Sequence, residues 1–105
     1  MFKINGEDWG ILSVPSHHPM LLKGDGTYSV AACDDPSKTI YINNLLEGEL
    51  LRRVICHEVT HAAMFSYDVS LTIDQEELLA DLIATYGAEI IAITNQIFGK
   101  IQKRV

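Results

Sequence analysis

Leu50-Leu51-Arg52-Arg53-Val54-Ile55-Cys56-His57-Glu58-Val59-Thr60-His61-Ala62 reads as one amphipathic helix. Leu46, Leu50, Val54, His57 and His61 recur about every four residues and so form a single stripe, which passes from apolar side chains into two imidazoles. Upstream, Asn44 is a good N-cap and Glu47 stands three residues on as in a capping box, which predicts a helix from about Leu45 to Phe65 or Tyr67. Downstream, Asp68–Thr72 has the composition of a loop. A second helix is expected to begin at Thr72 or Asp74 and to run to about Phe98, with Gly99 just past its end. Leu78, Leu79, Leu82, Ile83, Tyr86, Ile90, Ile93 and Ile97 give that helix an apolar face broad enough to pack on both the first helix and a sheet.

The first 43 residues have another texture. All three prolines, Pro15, Pro19 and Pro36, lie there, and Gly6 and Gly24-Asp25-Gly26 mark turns. Met1–Asn5, Gly10–Val14, Tyr28–Cys33 and Thr39–Ile42 are the strand candidates. The last two, separated by Asp34–Lys38, read as a hairpin with Ile40 and Ile42 on one face. The expected fold is therefore α+β: a small curved sheet from the N-terminal half packed on two long helices, in a single domain spanning residues 1–105.

His57-Glu58-Val59-Thr60-His61 has the pattern H-E-x-x-H. Two histidines four apart on a helix lie one turn apart on one face, and both rings can reach one Zn²⁺ at about 2.0–2.1 Å. Glu58 is rotated by about 100° from His57, beside the metal, where it can take a proton from a water that the metal activates. Chance would place these three residues together in roughly a few per thousand chains of this length. A third ligand is required. Met64 and Tyr67 exclude the longer H-E-x-x-H-x-x-G-x-x-H pattern, which leaves a downstream carboxylate or the upstream His17 or His18. Glu77 is favoured over its neighbour Glu76 because only Glu77 has Asp81 one turn on, where Asp81 could accept the outer N–H of a ligand histidine. Glu76 stays a rival ligand, and either glutamate would also suit the first turn of a helix for its charge alone.

His57-Glu58-Val59-Thr60-His61 followed by Glu77-Leu78-Leu79-Ala80-Asp81 resembles the gluzincin metallopeptidases, which combine HExxH with a later ExxxD. The order of TIYI (Thr39–Ile42), LLRRVICHEVTHA (Leu50–Ala62) and EELLADLIA (Glu76–Ala84) is similar to the small ImmA/IrrE-like zinc peptidases of bacteria and their phages. The resemblance implies a minimal zincin-like domain that hydrolyses peptide bonds. In it His57, His61 and Glu77 bind zinc, Glu58 is the base, Asp81 supports a ligand histidine, and Thr39–Ile42 is an edge strand that pairs with a protein or peptide substrate. The alternative class is a zinc-stabilised binding or regulatory protein, of phage or bacterial origin, without turnover. An intact Glu58 argues against it; the lack of an evident oxyanion donor argues for it. Tyr28, Tyr67 and Tyr86 are the candidates for that donor, but Tyr86 lies about 180° round the helix from Glu77.

Composition narrows the classes. The chain has 105 residues, 48% of them hydrophobic and 21% charged, the balance of a globular domain. Eight basic residues against fourteen acidic ones give a net charge of −6. The basic residues cluster only at Lys100, Lys103 and Arg104, so no stripe is present to meet a nucleic-acid backbone. The most apolar stretch, Leu78–Ile93, contains Asp81 and Glu89, which argues against a membrane span, and the first residues lack the apolar core of a secretory signal. Cys33 and Cys56 are expected to be free thiols, Cys56 buried, and the expected setting is cytoplasmic. His17-His18 reads as a surface loop, Trp9 as a core or rim residue.

Overall fold

The computed structural model describes residues 1–102. It is α+β, with a four-stranded sheet from the N-terminal half packed against a two-helix layer. β1 (Phe2–Ile4) and β2 (Glu7–Val14) form a hairpin through Asn5 and Gly6, at φ 50° and 77°. An Asn-Gly pair with both φ positive suits a two-residue turn whose twist matches its strands. β3 (Ala31–Asp34) and β4 (Thr39–Asn43) form the second hairpin, as the sequence indicates, although β3 starts three residues later than the β-prone run from Tyr28.

The order across the sheet is β1-β2-β4-β3. β2 pairs with β4 in parallel, from Gly10↔Thr39 to Val14↔Asn43. Thr39–Ile42 is thus a central strand, and the expectation that it forms an edge is overturned. β2 is eight residues long, more than its apolar core suggested, and it saturates the side of β4 away from β3. The edge beside the helices is β3.

Alternation along β4 buries Ile40 and Ile42, which join Trp9, Ala31 and Ala62 in the core. Leu51, Val54, Ile55 and Val59 of α1 (Gly48–Ser66) pack against it. Trp9 is fully buried, and its Nε1 donates to Ser66 Oγ at 2.8 Å, while Asn5 Nδ2 donates to the Ser66 carbonyl at 3.0 Å. These bonds fix the C-terminal end of α1 against the first hairpin.

α1 begins later than expected. Asn44 does not cap it: Asn43 Oδ1 accepts from Leu45 N at 2.8 Å and holds a turn there, and the helix starts at Gly48 with Glu47 at the cap position but making no side-chain cap bond. Gly48 has φ 64°, a conformation open to glycine, and it redirects the chain into the helix. α2 (Ile73–Gln102) starts where one of the two expected caps lies. Thr72 Oγ1 accepts from Gln75 N at 3.2 Å, and Gln75 Oε1 accepts from Thr72 N at 3.1 Å, a reciprocal box. Gly99 does not end α2, because one glycine weakens a helix without breaking it and Lys100, Ile101 and Gln102 continue the turn. Lys103 and Arg104 lie outside the described residues.

α2 runs antiparallel to α1, with Glu77 and Asp81 beside His61 and His57, and Leu82–Asn95 beside Cys56 and Arg52. It packs on α1 around the buried Ala80 and makes little contact with the sheet, so the expectation that its apolar face packs on both is overturned: Leu78, Leu82, Tyr86, Ile90, Ile93 and Ile97 are exposed. Among the described residues no helix is long and apolar enough to cross a membrane.

Candidate metal centre

His57 and His61 stand in the middle of α1 on the side towards α2, with His61 9% exposed. Their Nε2 atoms are 3.1 Å apart. Glu77 closes the triangle from α2: its Oε1 lies 2.9 Å from His61 Nε2 and its Oε2 3.3 Å from His57 Nε2. Tetrahedral zinc with bonds of 2.0–2.1 Å would set its ligand atoms about 3.3 Å from one another, close to these separations. His57, His61 and Glu77 form a cluster that could hold a metal ion.

The outer ring nitrogens decide how the inner ones behave. His57 Nδ1 is 2.9 Å from Asp81 Oδ1, and His61 Nδ1 is 2.7 Å from Glu76 Oε1. A carboxylate only accepts, so His61 is assigned Nδ1–H, which donates outward to Glu76, and the Asp81 carboxylate close to His57 Nδ1 favours the same tautomer there. A neutral ring so oriented turns a bare lone pair inward at Nε2. Two such lone pairs and the Glu77 carboxylate converge on one point, where a metal cation would relieve the mutual repulsion of these acceptors. The donor set of two imidazoles and one carboxylate suits a divalent transition metal.

Glu58 is 8% exposed and stands outside the three-donor cluster, in the wall of the same cavity. Burial pushes its carboxyl above the usual range; the two histidines pull it back in part, and Glu77 raises it further. The cavity has a volume of about 390 Å³ and lies between α1 and β3, with Ala31, Ala32 and Cys33 on one side and His57, Glu58 and His61 on the other. Burial, with the Glu58 carboxylate next in weight, pushes the Cys33 thiol up to about 12, so Cys33 stays protonated rather than acting as a thiolate ligand. Both cysteines are free and half-buried.

The structure thus brings together His57, Glu58, His61, Glu77 and Asp81. Glu76 sits against the outer nitrogen of His61, a role the sequence reading did not give it. The signal was available: on antiparallel helices a step forward from His57 to His61 is a step back along α2, from Asp81 towards Glu76. Lys23, at the rim of the cavity, was also missed, since it is distant in sequence and sits in a glycine-rich turn. The two remaining histidines are elsewhere. His18 Nδ1 accepts from Met20 N at 3.1 Å and its ring stacks on Tyr41, while His17 packs edge-on against Tyr28. Tyr28, Tyr67 and Tyr86 are exposed, and none lines the cavity. No known protein family, curated protein or solved structure matches this chain.

Proposed function

We propose that the chain is a zinc-dependent metallopeptidase of gluzincin type, with His57, His61 and Glu77 as ligands and Glu58 as general base. The observation that carries this reading is the pairing of an inward-facing three-donor cluster with a buried carboxylate that does not belong to it. A purely structural site has no use for the second. Zinc, when bound, acts as a Lewis acid that brings the pKa of water to about 7 and polarises a carbonyl oxygen. Glu58 takes the proton from that water at its carboxylate and returns it to the amine nitrogen as the C–N bond breaks. Its burial suits both halves of that cycle, because a carboxyl raised above its ordinary value holds a proton more readily between the two transfers. Asp81 and Glu76 hold the rings in the tautomer that binds. An extended peptide laid along the free edge of β3, over Ala31–Cys33, would pass the cluster while main-chain hydrogen bonds, which need no particular sequence, hold it. Two free thiols suit a reducing, cytoplasmic setting.

A second reading, a zinc-stabilised binding protein without turnover, is favoured by one observation: no tyrosine or further histidine reaches the cavity to stabilise an oxyanion, and the cationic side chain there is the exposed Lys23. One experiment separates the two. Untagged protein should contain about one zinc per chain, and His57→Ala should lose it. Glu58→Gln should keep the zinc and lose peptide hydrolysis by at least roughly 10²–10⁴-fold, measured on unfolded protein substrates. Loss of zinc in Glu58→Gln would make Glu58 a ligand and sink the assignment. A zinc-loaded parent with no hydrolysis above the Glu58→Gln level would favour the binding protein.

A further inference from the structure

α2 carries a second pattern that the metal centre does not use. Leu79, Ile83, Tyr86, Ile90, Ile93 and Ile97 follow one another at alternating spacings of four and three, the seam of a coiled coil, with β-branched isoleucine at every seventh position from Ile83. α1 does not cover this seam: Tyr86 is 55% exposed, Ile90 51%, Ile93 47% and Ile97 52%. Between Leu82 and Gly99 the one charged residue is Glu89. Of the polar residues of this stretch, Thr85, Glu89 and Gln96 fall together on one flank of the helix, whereas Thr94 and Asn95 lie on the other, Thr94 close beside the seam. Seven large apolar side chains from Leu82 to Ile101 lie on the seam side of the helix, each a third to two-thirds exposed. At about 100 Å² apiece they present roughly 700 Å², more than the ~300–600 Å² of the largest patch on a typical monomer and close to the ~800 Å² each partner gives a standard interface.

We infer that α2 is the interface of a homodimer in which two copies of this helix pair along the seam, antiparallel and centred on Ile90. Self-pairing is what the pattern fits. A two-fold axis at Ile90 opposes Ile83 of one copy to Ile97 of the other and Leu79 to Ile101, and it sets Tyr86 one residue out of register with Ile93, within reach of its ring. A parallel pair would instead bring the two Lys100 side chains, three residues past Ile97, against each other at a seam position. The antiparallel pair moves each lysine to the opposite end, towards the acidic first turns of the other copy, which hold Asp74 and Glu76. Glu77 and Asp81 project from the other side of α2, towards α1, so the dimer leaves the metal cluster open and does not depend on it.

Light scattering coupled to size exclusion, on the full chain with metal as purified, should give about twice the 11.7 kDa chain mass. Ile90→Lys, at an exposed position, should give a single-chain mass with unchanged helical circular dichroism and metal content. Oxidation should crosslink Ile90→Cys to its own copy, and it should leave Ile97→Cys and the parent uncrosslinked. A parent chain that is monomeric at every concentration at which it stays dissolved overturns the proposal, and if that monomer pelleted with phosphatidylcholine vesicles the face would belong to lipid. A dimer that survives Ile90→Lys places the interface elsewhere and overturns it as well. Crosslinking through Ile97→Cys overturns the antiparallel arrangement.

Discussion

At the residue scale, four acidic side chains, Glu58, Glu76, Glu77 and Asp81, stand in or around the candidate metal cluster, and exposure separates the two that meet the outer nitrogens of its histidines. Asp81 and Glu76 each hold the outer nitrogen of a histidine, but the Asp81 side chain is 70% exposed and that of Glu76 22%. Water competes with the Asp81 contact far more than with the Glu76 hydrogen bond. Losing a histidine orienter commonly costs 10–100-fold in metal affinity. Glu76→Gln should therefore fall near ~100-fold and Asp81→Asn near ~10-fold, read by competition with a chromophoric zinc chelator. Equal losses, or a larger one for Asp81→Asn, would show that solvent exposure does not rank these contacts. The H-E-x-x-H motif was legible because helical spacing alone fixes where its side chains point. Glu76 was read only as a rival ligand, because a side chain at the first turns of a helix has several physical reasons to be acidic. Choosing among them needs the register of α2 against α1, which no local pattern encodes.

At the element scale, the two helix starts show what a short pattern can and cannot decide. Thr72, one of the two expected starts of α2, forms a reciprocal box with Gln75. Asn44 and Glu47 matched the same pattern and form no box. Asn43, one residue earlier, engages Leu45 N first, and Gly48 at φ 64° then resets the chain direction. Capping residues are also turn residues, and the sequence does not say which use wins. The difference is testable. A Cβ at Gly48 would meet no heavy atom within 4 Å, so Gly48→Ala should cost only the strain of its Cβ against its own backbone, about 1–2 kcal/mol for an alanine held in the left-handed region. Gly48→Asn should lose less, since asparagine tolerates that conformation. Thr72→Ala should cost about 1 kcal/mol through the lost cap. Chemical denaturation checks all three, and Gly48→Ala matching the parent would mean that the helix starts upstream, at the cap the sequence suggests.

At the scale of the whole molecule, the fold is two layers joined unequally. The sheet and α1 share a core around Trp9, Ile40, Ile42 and Ala62, whereas α2 leans on α1 alone and buries only Ala80 fully. The apolar period of α2 was readable, but a period says that a face will be covered and not by what. That is why the sequence suggested packing on the sheet where the structure leaves the face exposed. The same asymmetry would give a bound metal a mechanical role. The donors of the cluster that could hold one come from both helices, two from α1 and one from α2, so binding would crosslink the less anchored element to the better anchored one. Ligand binding to the folded state adds about 2.7 kcal/mol when free metal is 100 times its dissociation constant, and a domain of this size gains about 4–8 °C per kcal/mol. Adding zinc to chelator-stripped protein should then raise the melting temperature by on the order of 10 °C. The gain should also be local. Hydrogen exchange after stripping should speed up most in residues 73–81 and around His57–His61, and least in β2 and β4, whose strands and core contacts do not involve the metal. Uniform acceleration across sheet and helices would mean that the metal supports the whole fold rather than the α1–α2 joint. No change in α2 would remove Glu77 from the ligand set, because a metal held by α1 alone has no means of restraining its neighbour.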